Sequence, residues 1–329
     1  MKQSNKFSIP VVIFTFKRSN TLERILKVLK EVNVSKIYLF SDNGRNEEEK
    51  ALVAKTREEI LKMIDWDCEV IKEFANENQG VFNQIGMGAK RVFKKEEKAI
   101  FLEDDNLPEP SFFRYCESML NKYQDNEQVL WICGTNYESE SQYLDTDYVF
   151  TKHMLPCGWA SWSNKFNKYY LTSFSILNDK ANRKKIKKAY EYKWLYRQQI
   201  RNFRMEKCRE DHGRRYLSWD FHMALTLRYF NLYGIAPKYN QIRNIGIDNF
   251  STHGGTSVKK PNTAKFCEIP THPMPEELVG PEEVKTNKEF EKRITKIVLV
   301  PLYIRLLFPF ITFTKKILRM YPDKSFINK

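Results

Sequence analysis

The sequence predicts an α/β fold built on a mostly parallel central sheet, and three observations carry the prediction. Short apolar runs alternate with helical patterns over residues 10–133, the signature of βαβ units. The run Ala99–Leu102 ends in three consecutive acids, Glu103, Asp104 and Asp105. Open α/β sheets bind ligands at the carboxyl ends of their strands, so these acids fall where a site belongs. The composition, 42% hydrophobic and 14% aromatic over 329 residues, provides a large core, in one domain or two, and excludes a disordered chain.

Each element has its own warrant. Pro10–Phe16 is an apolar, β-branched strand. Ser19 or Asn20 can cap the next helix, whose apolar positions Leu22, Ile25, Leu26 and Leu29 share one face. Lys36–Ser41 is a second strand, closed by the turn residues Asp42-Asn43-Gly44. A charged helix with Ile60, Leu61 and Ile64 leads to a third strand, Cys68–Glu73. A helix with Phe82, Ile85, Ala89, Val92 and Phe93 leads to the strand Lys98–Leu102. Pro110 opens a helix carrying Phe113, Cys116, Leu120 and Tyr123, and Gln128–Cys133 is the fifth strand.

Three charges at a strand end repel one another and lose hydration when covered. A divalent cation shared with an anionic ligand removes that cost, and Mg²⁺ or Mn²⁺ often uses only one or two carboxylates plus phosphate oxygens. The competing reading is a solvated acidic turn. Two other phosphate devices are absent, because the sequence has neither a G-x-x-x-x-G-K-[ST] loop nor a G-x-G-x-x-G after the first strand. Gly86-Met87-Gly88 falls inside a helical pattern and is read as close packing. The net charge of +14 calls for an anionic partner. The six cysteines form no C-x-x-C pair, so they read as free thiols in a reducing compartment. A polar N-terminus without a signal-peptide pattern suggests a cytoplasmic protein.

Several segments occur together in one order. They are Val11–Arg18, Ser41-Asp42-Asn43-Gly44, Asn78-Gln79-Gly80, Phe101–Pro108 with Ser111-Phe112-Phe113, Gly158-Trp159-Ala160-Ser161-Trp162, Trp219-Asp220 and Ser251-Thr252-His253-Gly254. In this series residues 8–260 resemble a bacterial GT-A fold glycosyltransferase of the N-acetylglucosaminyltransferase I-like or family 2-like kind. The resemblance implies a nucleotide-sugar-binding half at residues 1–135 and an acceptor-binding, catalytic half at 136–260 of one GT-A domain. It implies Mn²⁺ or Mg²⁺ on Asp105 and His253, with Glu103 and Asp104 reaching the donor sugar and ribose. It implies donor contacts from Thr15, Phe16, Arg18, Asp42, Gly80 and Trp159, and Asp220 as the base that takes the acceptor proton. Glu-Asp-Asp stands where the wider family writes Asp-x-Asp. For Asp220 the alternative is a cap on the helix Phe221–Arg228. For Trp159 and Trp162 it is core packing rather than a sugar platform. For His253 it is a solvated loop side chain. The implied function is an inverting, metal-dependent transfer from a UDP-sugar such as UDP-N-acetylglucosamine to a saccharide, carried on lipid, in surface polysaccharide or glycan synthesis. The alternative is a non-catalytic basic protein on the same scaffold, binding membrane or nucleic acid.

Residues 261–329 read as a linker and an amphipathic tail. Pro261–Glu283 is rich in Pro, Thr and Glu. The run Ile297–Thr314 is at the short limit for spanning a bilayer, has Arg305 near its middle and contains Pro301 and Pro309, which would break a single helix. It is therefore expected to lie at a membrane interface through residues 295–320, peripheral to the inner face of the cell membrane, or else to pack on the protein or on a second subunit. The basic, aromatic stretch Arg183–Arg204 is read as a solvated helical insertion facing lipid phosphate, and no nucleic-acid partner is expected. A homodimer is left open.

Overall fold

The computed structural model describes residues 6–247 and 265–317. Its centre is an eight-stranded mixed sheet. In chain order the strands are β1 (Val11–Thr15), β2 (Lys36–Ser41), β3 (Glu69–Phe74), β4 (Lys98–Glu103), β6 (Val129–Cys133), β7 (Tyr148–Thr151), β8 (Trp159–Trp162) and β9 (Tyr233–Pro237). Two further strands, β5 (Asn106–Pro108) and β10 (Ile242–Asn244), form a separate antiparallel pair. The spatial order is β3-β2-β1-β4-β8-β6-β9-β7. The four strands from β3 to β4 are parallel, as the alternating pattern predicts. β1 and β2 are buried on both faces, which is why they read as continuous apolar runs. β3 lies at the edge and exposes part of its length.

The order 3-2-1-4 places a topological switch point between β1 and β4, where crossovers leave the sheet in opposite directions and a crevice opens at the carboxyl ends. Helices α1 (Ser19–Glu31), α2 (Glu47–Met63) and α4 (Ser111–Lys122) follow β1, β2 and β5, and a π turn at Phe82–Gly86 continues into α3 (Met87–Val92) before β4. α1 buries Leu22, Ile25, Leu26 and Leu29, but neither Ser19 nor Asn20 caps it. The residue before it is Arg18, whose extended backbone sends its side chain to the acids instead. Gly86 and Gly88 do serve packing, since a Cβ on Gly86 would lie 2.4 Å from Tyr170 Oη and one on Gly88 would lie 3.0 Å from the Phe14 ring.

The strands β7 and β8 go beyond the sequence reading. β8 runs antiparallel between β4 and β6, and β7 runs antiparallel to β9 at the far edge. Helices α5 (Ser163–Tyr169), α6 (Lys180–Lys188), α7 (Lys193–Asp211) and α8 (Asp220–Phe230) follow β8. α8 is buried continuously from His222 to Arg228 and shares an apolar cluster with α6 and α7. After residue 264 the chain wraps the surface, with Glu268 N donating to Asn244 O at 2.8 Å and Arg114 Nη2 to Met274 O at 2.8 Å.

The tail is corrected in part. α9 (Lys288–Val298) belongs to the core: Phe290 and Ile294 are buried, Glu291 accepts from Lys152 N at 2.9 Å, and His153 Nε2 meets Thr295 Oγ1 at 3.1 Å. Thr295 is buried, and Ile297 and Val298 pack partly against the same core. α10 (Leu302–Ile317) follows Pro301, which separates the two helices, but Pro309 does not break α10. Among the described residues no helix is long and apolar enough to cross a membrane. All six cysteines are free.

Candidate active site

The crevice between β1 and β4 gathers most of the expected residues. β4 ends at Glu103, and the turn Asp104-Asp105 leads into β5. Arg18, just past β1, points one nitrogen, Nη1, at both Asp104 Oδ1 (3.1 Å) and Asp105 Oδ2 (3.2 Å). Phe16 N donates to Asp104 Oδ2 at 3.0 Å. Thr15 is buried at the end of β1, and its hydroxyl finds no partner among the described residues.

Burial dominates the electrostatics. Glu103 is pushed well above the usual carboxylate range by burial, then by the charges of Asp105, Asp104 and Asp220, while the Trp219 side chain hydrogen-bonds to it and opposes the shift. Asp104 is pushed up to about 6 by burial, against the pull of Arg18. Asp105 is raised by burial too, with Arg18, Asn244 and Asn106 opposing. One guanidinium does not offset three enclosed acids.

Three asparagine and glycine positions that sequence reasoning missed hold this turn. Asn106 Nδ2 donates to Asp105 Oδ1 at 2.6 Å, while its Oδ1 accepts from Gly158 N at 2.8 Å and from Glu103 N at 3.3 Å. Asn244 lies opposite Asn106 in the β5–β10 pair and hydrogen-bonds to Asp105. Gly246 follows, so close that a Cβ there would sit 2.4 Å from Asp105 Oδ2. Asn106 directly follows the acidic triplet and could have been suspected. The other two come from a remote strand and left no local signal.

Asp220 is the first residue of α8 and is not its cap. The cap contact is Ser218 Oγ, which accepts from Phe221 N at 3.3 Å. The charge of Asp220 acts on Glu103, Tyr137 and Tyr170, so it faces the same crevice. Its position is set by Trp219, whose carbonyl accepts from Tyr170 Oη at 3.1 Å and whose ring packs 5.6 Å from Trp159.

Two expected donor contacts have other tasks. Trp159 is buried between Phe101 (ring centroids 3.8 Å apart) and Trp131 (4.3 Å), with no face left for a sugar. Trp162 is buried as well, its indole N–H donating to Leu120 O. Asp42 accepts from Asn43 N, Gln79 N, Gly80 N, Asn78 Nδ2 and Gln84 Nε2 at 2.7–3.2 Å. Five donors meet this one carboxylate, so Asp42 shapes the 78–80 loop. Gly80 is required there because its φ is +79°. A surface pocket of about 320 Å³ opens beside this loop, lined by Arg45, Lys50, Asn76, Asn78 and Arg215 among others. The Phe16 ring lies nearby, with Lys17 Nζ at 5.3 Å and Arg45 Cζ at 6.0 Å from its centroid. His253 falls outside the described residues.

Among the described residues no three His, Cys, Asp or Glu side chains form a cage for a metal. The donor set is hard carboxylate oxygen, short of positive charge. That fits a divalent cation completed by a ligand's own phosphate oxygens, not one held by protein alone.

No family model matches this chain, and no curated protein matches it. Among solved structures it is similar to UDP-glucose pyrophosphorylase complexed with UDP-glucose, at 13% identity over 72% of this chain and 94% of that one, with a TM-score of 0.38. It is also similar to HddC from Yersinia pseudotuberculosis, at 13% identity over 49% and 80%, TM-score 0.29. A third is 4-diphosphocytidyl-2C-methyl-D-erythritolsynthase from Anaerococcus prevotii DSM 20548, at 12% identity over 53% and 86%, TM-score 0.29. Likenesses this remote carry no argument about activity.

Proposed function

We propose that this chain is a GT-A-like, metal-dependent glycosyltransferase that moves a sugar from a UDP-sugar to a saccharide acceptor with inversion. The observation that supports it is the acidic crevice: Glu103, Asp104 and Asp105 enclosed at the switch point, faced by Arg18 and by Asp220 on α8. Asp105 would hold Mn²⁺ or Mg²⁺ together with the donor diphosphate, and the cation would supply charge stabilisation to the leaving phosphate. Arg18 adds positive charge at the same end of β1. Glu103, with the Trp219 side chain bonded to it, would orient the donor sugar. Asp220 takes the proton of the acceptor hydroxyl as that oxygen attacks the anomeric carbon. The bond from the anomeric carbon to the diphosphate breaks as the new glycosidic bond forms, and UDP leaves. UDP-N-acetylglucosamine is the donor we favour, and the acceptor is a lipid-linked saccharide met at the inner face of the cell membrane, in surface polysaccharide or glycan synthesis.

Thermal unfolding with UDP and Mn²⁺ tests the donor side. The pair should raise the melting temperature of the wild-type protein, each component alone should do less, and Asp105→Ala should abolish the joint effect. Equal protection of the variant would sink the assignment.

A further inference from the structure

We propose that α7 and α10 together form one bilayer-docking surface that takes anionic phospholipid. It deepens the membrane-side reading above and uses none of the donor chemistry.

α10 is fixed to the body through α7. Gln198 clamps the connection between α9 and α10, donating to Val298 O at 2.9 Å and accepting from Val300 N at 3.0 Å. Arg201 lies over the Phe308 ring at 3.9 Å, and Arg305 over Trp194 at 5.2 Å. Trp194, Gln198 and Arg201 stand at i, i+4 and i+7, so one stripe of α7 seats the whole tail helix.

Among the described residues nothing covers the opposite face of α10. Leu302, Tyr303, Leu306, Leu307, Phe310 and Ile317 are each about half exposed or more. At 100° per residue they fall within an arc of about 140°. Ile304, Arg305 and Phe308, less exposed, occupy the side that meets α7. A contiguous apolar face of this kind is unusual on a protein that meets only water.

Charge says what covers it. No acidic residue lies between Glu291 and Asp323, while Arg305, Lys315, Lys316 and Arg319 do. On α7, Lys193, Arg197 and Arg204 fall within an arc of about 40°, beside the stripe that seats the tail. The acid in that arc, Asp211, is at the far end and paired with Lys207. An apolar helix face flanked by a basic stripe matches the acyl boundary and the headgroups of an anionic leaflet. A second copy of this chain would bring the same +14 charge and the same basic stripe against itself.

Sedimentation with vesicles of phosphatidylcholine alone, and of equimolar phosphatidylcholine and phosphatidylglycerol, tests the surface. The full chain should bind the mixed vesicles more tightly. Leu306→Glu with Phe310→Glu should lower binding at least tenfold. Arg197→Gln with Arg204→Gln should lower binding to the mixed vesicles about 25-fold, about fivefold for each charge removed, and barely change binding to phosphatidylcholine. All these positions are exposed, so melting temperatures should stay at the wild-type value. Vesicle binding unchanged by both variants would overturn the proposal, as would a monomer that binds neither vesicle. A dimer that the Leu306→Glu, Phe310→Glu variant dissociates, without change in vesicle binding, would assign the face to a second copy. Protection by UDP and Mn²⁺, measured on the same proteins, should be unaffected; its absence in the wild type would end the donor reading and leave the docking surface standing.

Discussion

His222 should make this protein lose stability in mild acid, and replacing it should remove that loss. It lies in the first turn of α8, fully buried among Phe82, Phe174 and Tyr216, with ring centroids 4.3–4.6 Å away. Its Nδ1 meets Leu171 O at 3.0 Å, so the neutral ring donates there, and Nε2 has no partner among the described residues. Burial lowers its pKa from 6.5 to about 3, against the pull of the Leu171 carbonyl. The unfolded chain takes up a proton below 6.5 that the folded chain refuses until about 3. The contribution is therefore complete above pH 6.5 and is lost progressively as pH falls toward 3. The whole window corresponds to about 4–5 kcal/mol, and at pH 5 the loss is about 2 kcal/mol. His222→Phe keeps the shape of the ring and leaves the Leu171 carbonyl unpaired, a cost of about 1–3 kcal/mol that does not vary with pH. Urea unfolding followed by tryptophan fluorescence at pH 7.5 and pH 5 measures both proteins. The gap between them should shift by about 2 kcal/mol in favour of the variant at the lower pH. A gap constant within about 0.5 kcal/mol, the scatter of ordinary surface changes, would refute the reasoning.

Two further outcomes bear on the crevice. Asp220→Asn should keep protection by UDP and Mn²⁺ and lose about 10²–10⁴-fold in turnover, the usual contribution of a general base; turnover within a few-fold of wild type in a nucleotide-sugar assay would remove it from that role. Gly246→Ala should weaken the joint protection by UDP and Mn²⁺, because its methyl group would displace the Asp105 carboxylate; a wild-type thermal shift would show that the 244–246 turn yields without moving Asp105.

The legible parts of this fold are those with local signals. β2 runs from Lys36 to Ser41 as expected, because a buried parallel strand is a continuous apolar run closed by turn residues. The acids fall at the switch point because the first four strands follow βαβ order. β8 was legible only as a motif: four residues, Trp159–Trp162, are too few for any periodicity, and their place depends on pairing with β4 and β6. The Gly158 that precedes it has φ +60° and packs against Ile242 across the β5–β10 pair, a constraint invisible along the chain. Trp219 resembled half of a short motif, yet its work is to bond Glu103 and to hold Asp220 through contacts with Tyr170 and Trp159. The core-packed helix at the tail's start was not legible, because Ile297 begins the apolar run of α10 in sequence whereas Phe290 and Ile294 point α9 into the core.

Two kinds of buried acid stand side by side here, and the contrast favours a ligand at the crevice. Asp42 accepts from five donors. Glu49 is held below the usual carboxylate range by Arg45, with Lys17 adding to it. Both stabilise local structure. Glu103, Asp104 and Asp105 are shifted the other way. Burial holds the Asp104 carboxyl above its usual range, so the folded state disfavours its carboxylate form. A structural role would be met more cheaply by neutral side chains of the same size. The acids sit between an arginine and a candidate base, at the switch point where open α/β sheets take ligands. Perturbed groups arranged in this way mark a candidate site, and a cation bound there would offset their charge.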